Sequence, residues 1–235
     1  MKFKPFQTTL LTLAVALVAV SPVFAAASLT TAQQDRLTVI KTRGDQEISR
    51  RLSELSKLTA VINNATKLTA SDKSALSSEI SGAVSGLTAL KTTLDNETTL
   101  DAARTDAQSI LTEYRVFALV MPKVHLLKIA DDQVAAATKL SDAAIKLQTR
   151  LKSLKTSGKD VTALQATLDD MTTNIASAQK ISSTIQSSIS SLQPTDYNSN
   201  HSVLVGDNAQ LKASHASLVK ARQDAQTVLE GIKSL

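Results

Sequence analysis

The stretch "VTALQATLDDMTTNIASAQKISSTIQSSISSL", residues 161–192, decides the fold. Val161, Leu164, Leu168, Met171, Ile175, Ala178, Ser182, Ile185, Ile189 and Leu192 follow one another at alternating steps of three and four. On an α-helix these positions form one stripe, and a mean step of about 3.5 keeps that stripe turned toward a neighbouring helix that lies nearly parallel. A half-buried strand would instead alternate every second residue, and no run bounded by turns does so anywhere in the chain.

The same spacing continues outward. Upstream, Leu127, Ala130, Val134, Ala137, Leu140, Ala144, Leu147, Leu151 and Leu154 form a stripe that ends before Gly158, where a glycine just past a helix terminus is expected. The short Ser157-Gly158-Lys159 connection makes these two helices antiparallel neighbours. Downstream, Pro194 to Asn200 reads as a polar loop, after which Leu204, Leu211, Leu218, Ala225 and Ile232 recur seven apart. Nearer the N-terminus, Leu37, Ile40, Gly44, Ile48, Leu52, Leu55, Leu58 and Ile62 form another stripe, with Thr31 and Gln34 as a capping box. Leu76, Ile80, Ala83, Leu87, Leu90 and Leu94 form the next, with Thr69 and Asp72 as its start signal. Leu100, Ala103, Ala107, Ile110, Tyr114, Phe117 and Met121 continue in unbroken three-four alternation up to Pro122.

The expected architecture is therefore all-α: an elongated antiparallel bundle of five to six long helices with coiled-coil-like heptad packing, forming a single domain over residues 26–235. Helices of about 30–35 residues span roughly 45–52 Å. Many of the stripe residues are Ala or Ser, which brings helices close together but leaves a thin core.

Residues 1–25 read as a cleaved signal peptide. Lys2 and Lys4 supply a positive start, Leu10 to Val20 an apolar run, and Val23-Phe24-Ala25 the small residues of a cleavage site. Cleavage is expected after Ala25, with Ala27 as the alternative, and no later segment is apolar enough for a transmembrane anchor. The expected location is secreted or in the cell envelope. The chain has no cysteine, which removes disulfides, thiolate metal sites, a cysteine nucleophile and a lipidated N-terminal cysteine. Stability must come from packing. Without Lys2 and Lys4 the net charge falls from +5 to +3, and the longest basic run is Arg50-Arg51. Nucleic-acid binding needs a clustered basic face, so no nucleic-acid partner is expected.

One stretch departs from the monotone of Ala, Leu, Ser, Thr and Lys: "TEYRVFALVMPKVHLLKIADD", residues 112–132. Tyr114 and Phe117 are two of the three aromatics beyond the signal peptide, and they precede Pro122 and His125. Proline removes a backbone donor and crowds the preceding turn, so it starts a helix or kinks one. No Gly, Asn or Asp of a reversing turn flanks it, which favours a kinked continuous helix. Apolar residues lie nearly all round this helix, as in a segment buried by protein or lipid. Arg115, Lys123, His125 and Lys128 interrupt it too often for comfortable insertion in a membrane. Bundle interior, with Tyr114 and Phe117 as bulky fillers, is the expectation. A membrane-seeking segment over 118–130 is the alternative.

Three segments carry a resemblance: "DQEISRRLSELSKLTAVI" (45–62), "SGLTALKTTLD" (85–95) and "TDAQSILTEYRVFALVMPKVHLLKIADDQ" (105–133). The chain resembles an uncharacterised family of exported, all-helical bacterial proteins that pair a signal peptide with a YRV(F/Y)ALV-P segment. The resemblance covers roughly residues 35–150, is most specific from Tyr114 to Asp132, and implies bacterial export and a helical fold. It carries no assigned activity.

Candidate chemistry is sparse. His125, His201 and His215 lack the helical spacing of a metal site, and Asp131 and Asp132 lie six and seven residues beyond His125. No serine has nucleophile-elbow glycines. Arg43-Gly44-Asp45 spells an adhesion tripeptide inside a helical stripe, with its glycine on the buried side. Asn64, Asn96 and Asn200 match the N-glycosylation pattern, as chance allows in a Ser/Thr-rich chain. Gly82 and Gly86 suit close helix packing. No catalytic residue, cofactor or metal is expected. The functional expectation is a non-enzymatic exported protein that binds another protein or itself, and the alternative is a membrane-active bundle similar to helical pore-forming toxins.

Overall fold

The structure, a computed structural model, describes residues 29–235. The expected signal peptide over 1–25, including the cleavage site, lies outside them. Among the described residues 89% are helical and none is in a strand. The helices are α1 (Thr31–Asn64), α2 (Ala70–Asn96), α3 (Leu100–Thr112), α4 (Met121–Thr156), α5 (Thr162–Ser190), α6 (Tyr197–Asn200) and α7 (Ser202–Ser234). A π turn, Val116–Val120, leads into α4, and a 3-10 turn, Pro194–Asp196, leads into α6.

Local chemistry sets most boundaries. α1 starts one residue earlier than the Thr31–Gln34 box implies. Thr30 accepts from the Gln33 amide at 3.3 Å, and Gln33 Oε1 accepts from the Thr30 amide at 2.8 Å. Two overlapping boxes are available, and the earlier one lengthens the helix. Thr69 caps α2 as expected, accepting from the Asp72 amide at 3.0 Å. α4 ends in a Schellman motif: Gly158, at φ 83, donates to Lys155 O at 3.1 Å, and Lys159 donates to Leu154 O at 3.1 Å. Pro194 to Asn200 is ordered as short helical turns rather than an open loop.

α4, α5 and α7 form one half of the molecule. Gln148 meets Gln165 and Lys123 meets Leu192, so α4 and α5 are antiparallel. Gln133 meets Leu211, while Leu140 and Leu218 line one cleft, so α7 runs parallel to α4. The expected stripes are the buried ones: Leu168, Met171, Ile175, Ala178, Ser182, Ile185 and Ile189 on α5, and Ala130, Ala137, Ala144 and Leu151 seven apart on α4. At about 1.5 Å per residue the 36-residue α4 spans about 54 Å.

α1, α2 and α3 form the other half. Gly44 faces Ile110, Arg50 faces Phe117, and the Thr69 amide reaches Asp131. The chain from α3 into α4 therefore keeps one direction alongside α1, with no reversal. It is broken, however, and not where proline suggests. α3 ends at Thr112, and Arg115 adopts the left-handed region at φ 44, ψ 32. The following turn widens until Met121 donates to Val116 O. Pro122 sits in the first turn of α4. Its ring crowds the carbonyl four residues back and has no proton to offer it, so the turn ahead of it opens.

Two apolar clusters run along the rod. One joins α1, α2, α3 and the start of α4 to Ile185, Ile189, Leu192, Leu204 and Leu211. The other fills the far half of α4, α5 and α7.

Candidate functional site

One face of the stretch 112–132 lies inside the bundle, while Thr112, Glu113, His125 and Ile129 are exposed. Val116, Leu119, Val120, Val124, Leu126, Leu127 and Ala130 are buried in the first cluster. The aromatics are placed differently from the expected interior fillers, since both are only half-buried. Phe117 lies beneath the guanidinium groups of Arg50 and Arg51, at 4.6 and 5.1 Å from the ring centre. Two cations cover the ring face. Tyr114 packs over Gly86, where an added Cβ would come within 2.6 Å of its hydroxyl oxygen. Burial pushes the Tyr114 phenol up, with the Glu113 charge adding to it.

Polar side chains buried here serve the fold. Lys123, 3% exposed, donates to Glu79 on α2 at 2.7 Å and to Leu192 O, two residues past the end of α5, at 2.9 Å. Asp131 accepts from the Thr69 amide at 3.3 Å and from Gln186 on α5. Burial pushes its carboxyl above the ordinary range; the Gln186 hydrogen bond opposes this, and the Asp72 charge adds to it. Between the two apolar clusters sits a polar layer drawn from three helices. Gln133 donates to Leu211 O at 3.0 Å, and Ser182 donates to Gln133 Oε1 at 3.1 Å. Ser182 Oγ also lies 3.0 Å from Ser214 Oγ, and Ser214 donates to Ala178 O at 3.1 Å. The 161–192 stripe contains Ser182, and Ser214 falls midway between Leu211 and Leu218 of the last stripe. Gln133 escaped notice because it lies one position before Val134 on the stripe.

Several open clefts line the described residues, and the one that continues into an apolar helical face is a cleft of about 420 Å³ between α4 and α7. Ala136, Leu140 and Leu218 form its floor, with Val219 43% exposed. The half-buried floor continues along α4 through Ala143 and Leu147. Lys139, His215 and Arg222 stand on its rims. Lys146 and Arg150, seven and eleven residues beyond Lys139, extend the α4 rim and are exposed. Sequence reading saw only a mixed surface, because these cations meet across a groove that exists only once α4 and α7 pack side by side.

The three histidines are scattered. His125 is exposed on α4, His201 stacks on Tyr197 at 5.2 Å, and His215 is on the α7 rim. Among the described residues no group of three or more His, Cys, Asp or Glu side chains is placed to hold a metal ion. Gly44 of the adhesion tripeptide is buried in mid-α1 against Leu94, and Asp45 pairs with Lys91 at 2.7 Å. Asn64, Asn96 and Asn200 are exposed at helix ends. No helix among the described residues is long and apolar enough to cross a membrane.

Fold and cleft together define an all-α helical bundle with an open interhelical groove. No protein-family model, curated protein or solved structure matches the chain.

Proposed function

We propose that this is an exported, non-enzymatic protein of the cell envelope or extracellular space that works by protein–protein contact. Its N-terminal 25 residues act as the export signal, and it belongs with the exported helical bacterial proteins it resembles. The observation that carries this reading is the Ala136, Leu140, Ala143, Leu147 strip, an apolar helical face left half-open beside α7. An open apolar strip with a polar rim marks an interaction surface, and helix-in-groove recognition uses such spacing. Affinity capture with the mature chain from the envelope fraction, at salt near physiological strength, tests it. A saturable partner in stoichiometric amount is expected. Failure to enrich any protein, together with dye release from liposomes by the mature chain, would replace this reading with a membrane-active one built on 118–130.

A further inference from the structure

Resting on the reading just given, we infer that the α4–α7 groove docks an acidic amphipathic helix of another protein. The floor positions on α4 fall at i, i+4, i+7 and i+11 and rise about 17 Å along the axis, which a helix of about 14 residues would cover. α4 and α7 run parallel, so a third helix laid between them meets both at heptad spacing. The rims give the charge of the occupant. Lys139, Lys146 and Arg150 line one side and Arg222 the other, and among the described residues none of these four has a carboxylate within ion-pair distance. Of the nearby carboxylates, Asp132 is tied to Lys128 at 2.7 Å, Asp224 is buried and paired with Lys220, Asp142 is exposed on α4 three residues beyond Lys139, and Glu230 lies toward the far end of α7. Rows of glutamate flanking the apolar face of the incoming helix would meet these cations on both sides. A lipid surface fits less well, because the apolar floor is recessed between the α4 cations and Arg222 on α7, and a flat bilayer would touch only the rims.

The test uses two synthetic 18-residue helices with leucines at heptad positions, flanked by glutamate in one and by lysine in the other. Fluorescence anisotropy with the mature chain should show the acidic peptide binding about tenfold or more tightly than the basic one, with affinity falling as salt rises. Lys139→Glu/Arg222→Glu, both at exposed positions, should weaken the acidic peptide about tenfold and favour the basic one. Lys180→Glu, exposed on α5, should change nothing. Helicity and melting point verify folding of each variant, and Val219→Glu serves if the double variant does not fold. Equal binding by wild type and double variant would overturn the inference. So would binding only to phosphatidylglycerol vesicles, or a concentration-dependent dimer that the double variant abolishes. If wild type and double variant capture the same envelope partner, the groove is wrong and the broader reading stands. If the peptide binds but no partner is captured, the broader reading fails.

Discussion

Lys123 on α4 holds Glu79 on α2 at 2.7 Å with its own side chain 3% exposed, and it donates a second proton to the Leu192 carbonyl just past the end of α5. One cation thus ties α4 to α2 and to the segment that follows α5, where the two halves of the molecule overlap. The desolvation of such a pair is nearly as large as its attraction, so the pair adds little net stability, yet losing one member is costly. Glu79→Leu should lower stability by about 3 kcal/mol, because it leaves the buried ammonium without its counter-charge. Lys123→Met/Glu79→Leu should recover most of that. Urea unfolding of the two single variants and the double variant closes the cycle, and additive losses would show that the pair is not coupled.

Gly82 and Gly86 look equivalent in the sequence and are opposite in the structure. A Cβ at Gly82 meets nothing within 4 Å, whereas at Gly86 it would lie 2.5 Å from Tyr114 Cε1. Gly82→Ala should therefore stabilise α2 by up to about 1 kcal/mol through helix propensity. Gly86→Ala should cost about 1–3 kcal/mol as Tyr114 is displaced. Melting points of the two variants should move in opposite directions.

How far the sequence reached follows from these particulars. The α5 stripe from Leu168 to Ile189 was legible because one face of a helix in a bundle must be apolar at every turn. Thr69 and Gly158 were legible because each end chemistry has few substitutes. The break at Arg115 was not. Ile110, Tyr114, Phe117 and Met121 keep three-four spacing across it, and the chain continues in the same direction, so the pattern shows no seam. The cationic groove was hidden for another reason. Lys139 and Arg222 lie 83 positions apart in the chain and become neighbours only through packing.

Asp131 gives the protein a pH signature. Burial raises its folded pKa above the ordinary 3.8, so the native state holds its proton longer than the unfolded chain does. Its contribution is fully present below about 3.8 and is lost as pH rises through the higher folded value, so the penalty is complete at neutral pH. Thr69, Gln186, Asp72 and Asp132 are the groups that act on it. Asp131→Asn should raise the melting point at pH 7 and bring little or no gain near pH 3. A gain independent of pH would show that the carboxyl is not the source.

Arg115 tests whether the break between α3 and α4 stores strain. A non-glycine residue at φ 44 and ψ 32 crowds its Cβ against the neighbouring carbonyl, at a cost of about 1–2 kcal/mol. Its guanidinium lies 4.7 Å from the Tyr197 ring centre, a contact that contributes about 0.5–1 kcal/mol and offsets part of that cost. Arg115→Ala keeps the strain and loses the contact. Arg115→Gly loses the contact but relieves the strain, so it should be the more stable of the two by about 1 kcal/mol. In a Tyr197→Leu background the ring contact is already gone, and Arg115→Gly should gain relative to its effect in the wild type. Guanidinium chloride unfolding of these four variants beside the wild type separates backbone from side chain. An alanine variant as stable as the glycine variant would mean that the left-handed turn relaxes at no cost and the break holds no strain.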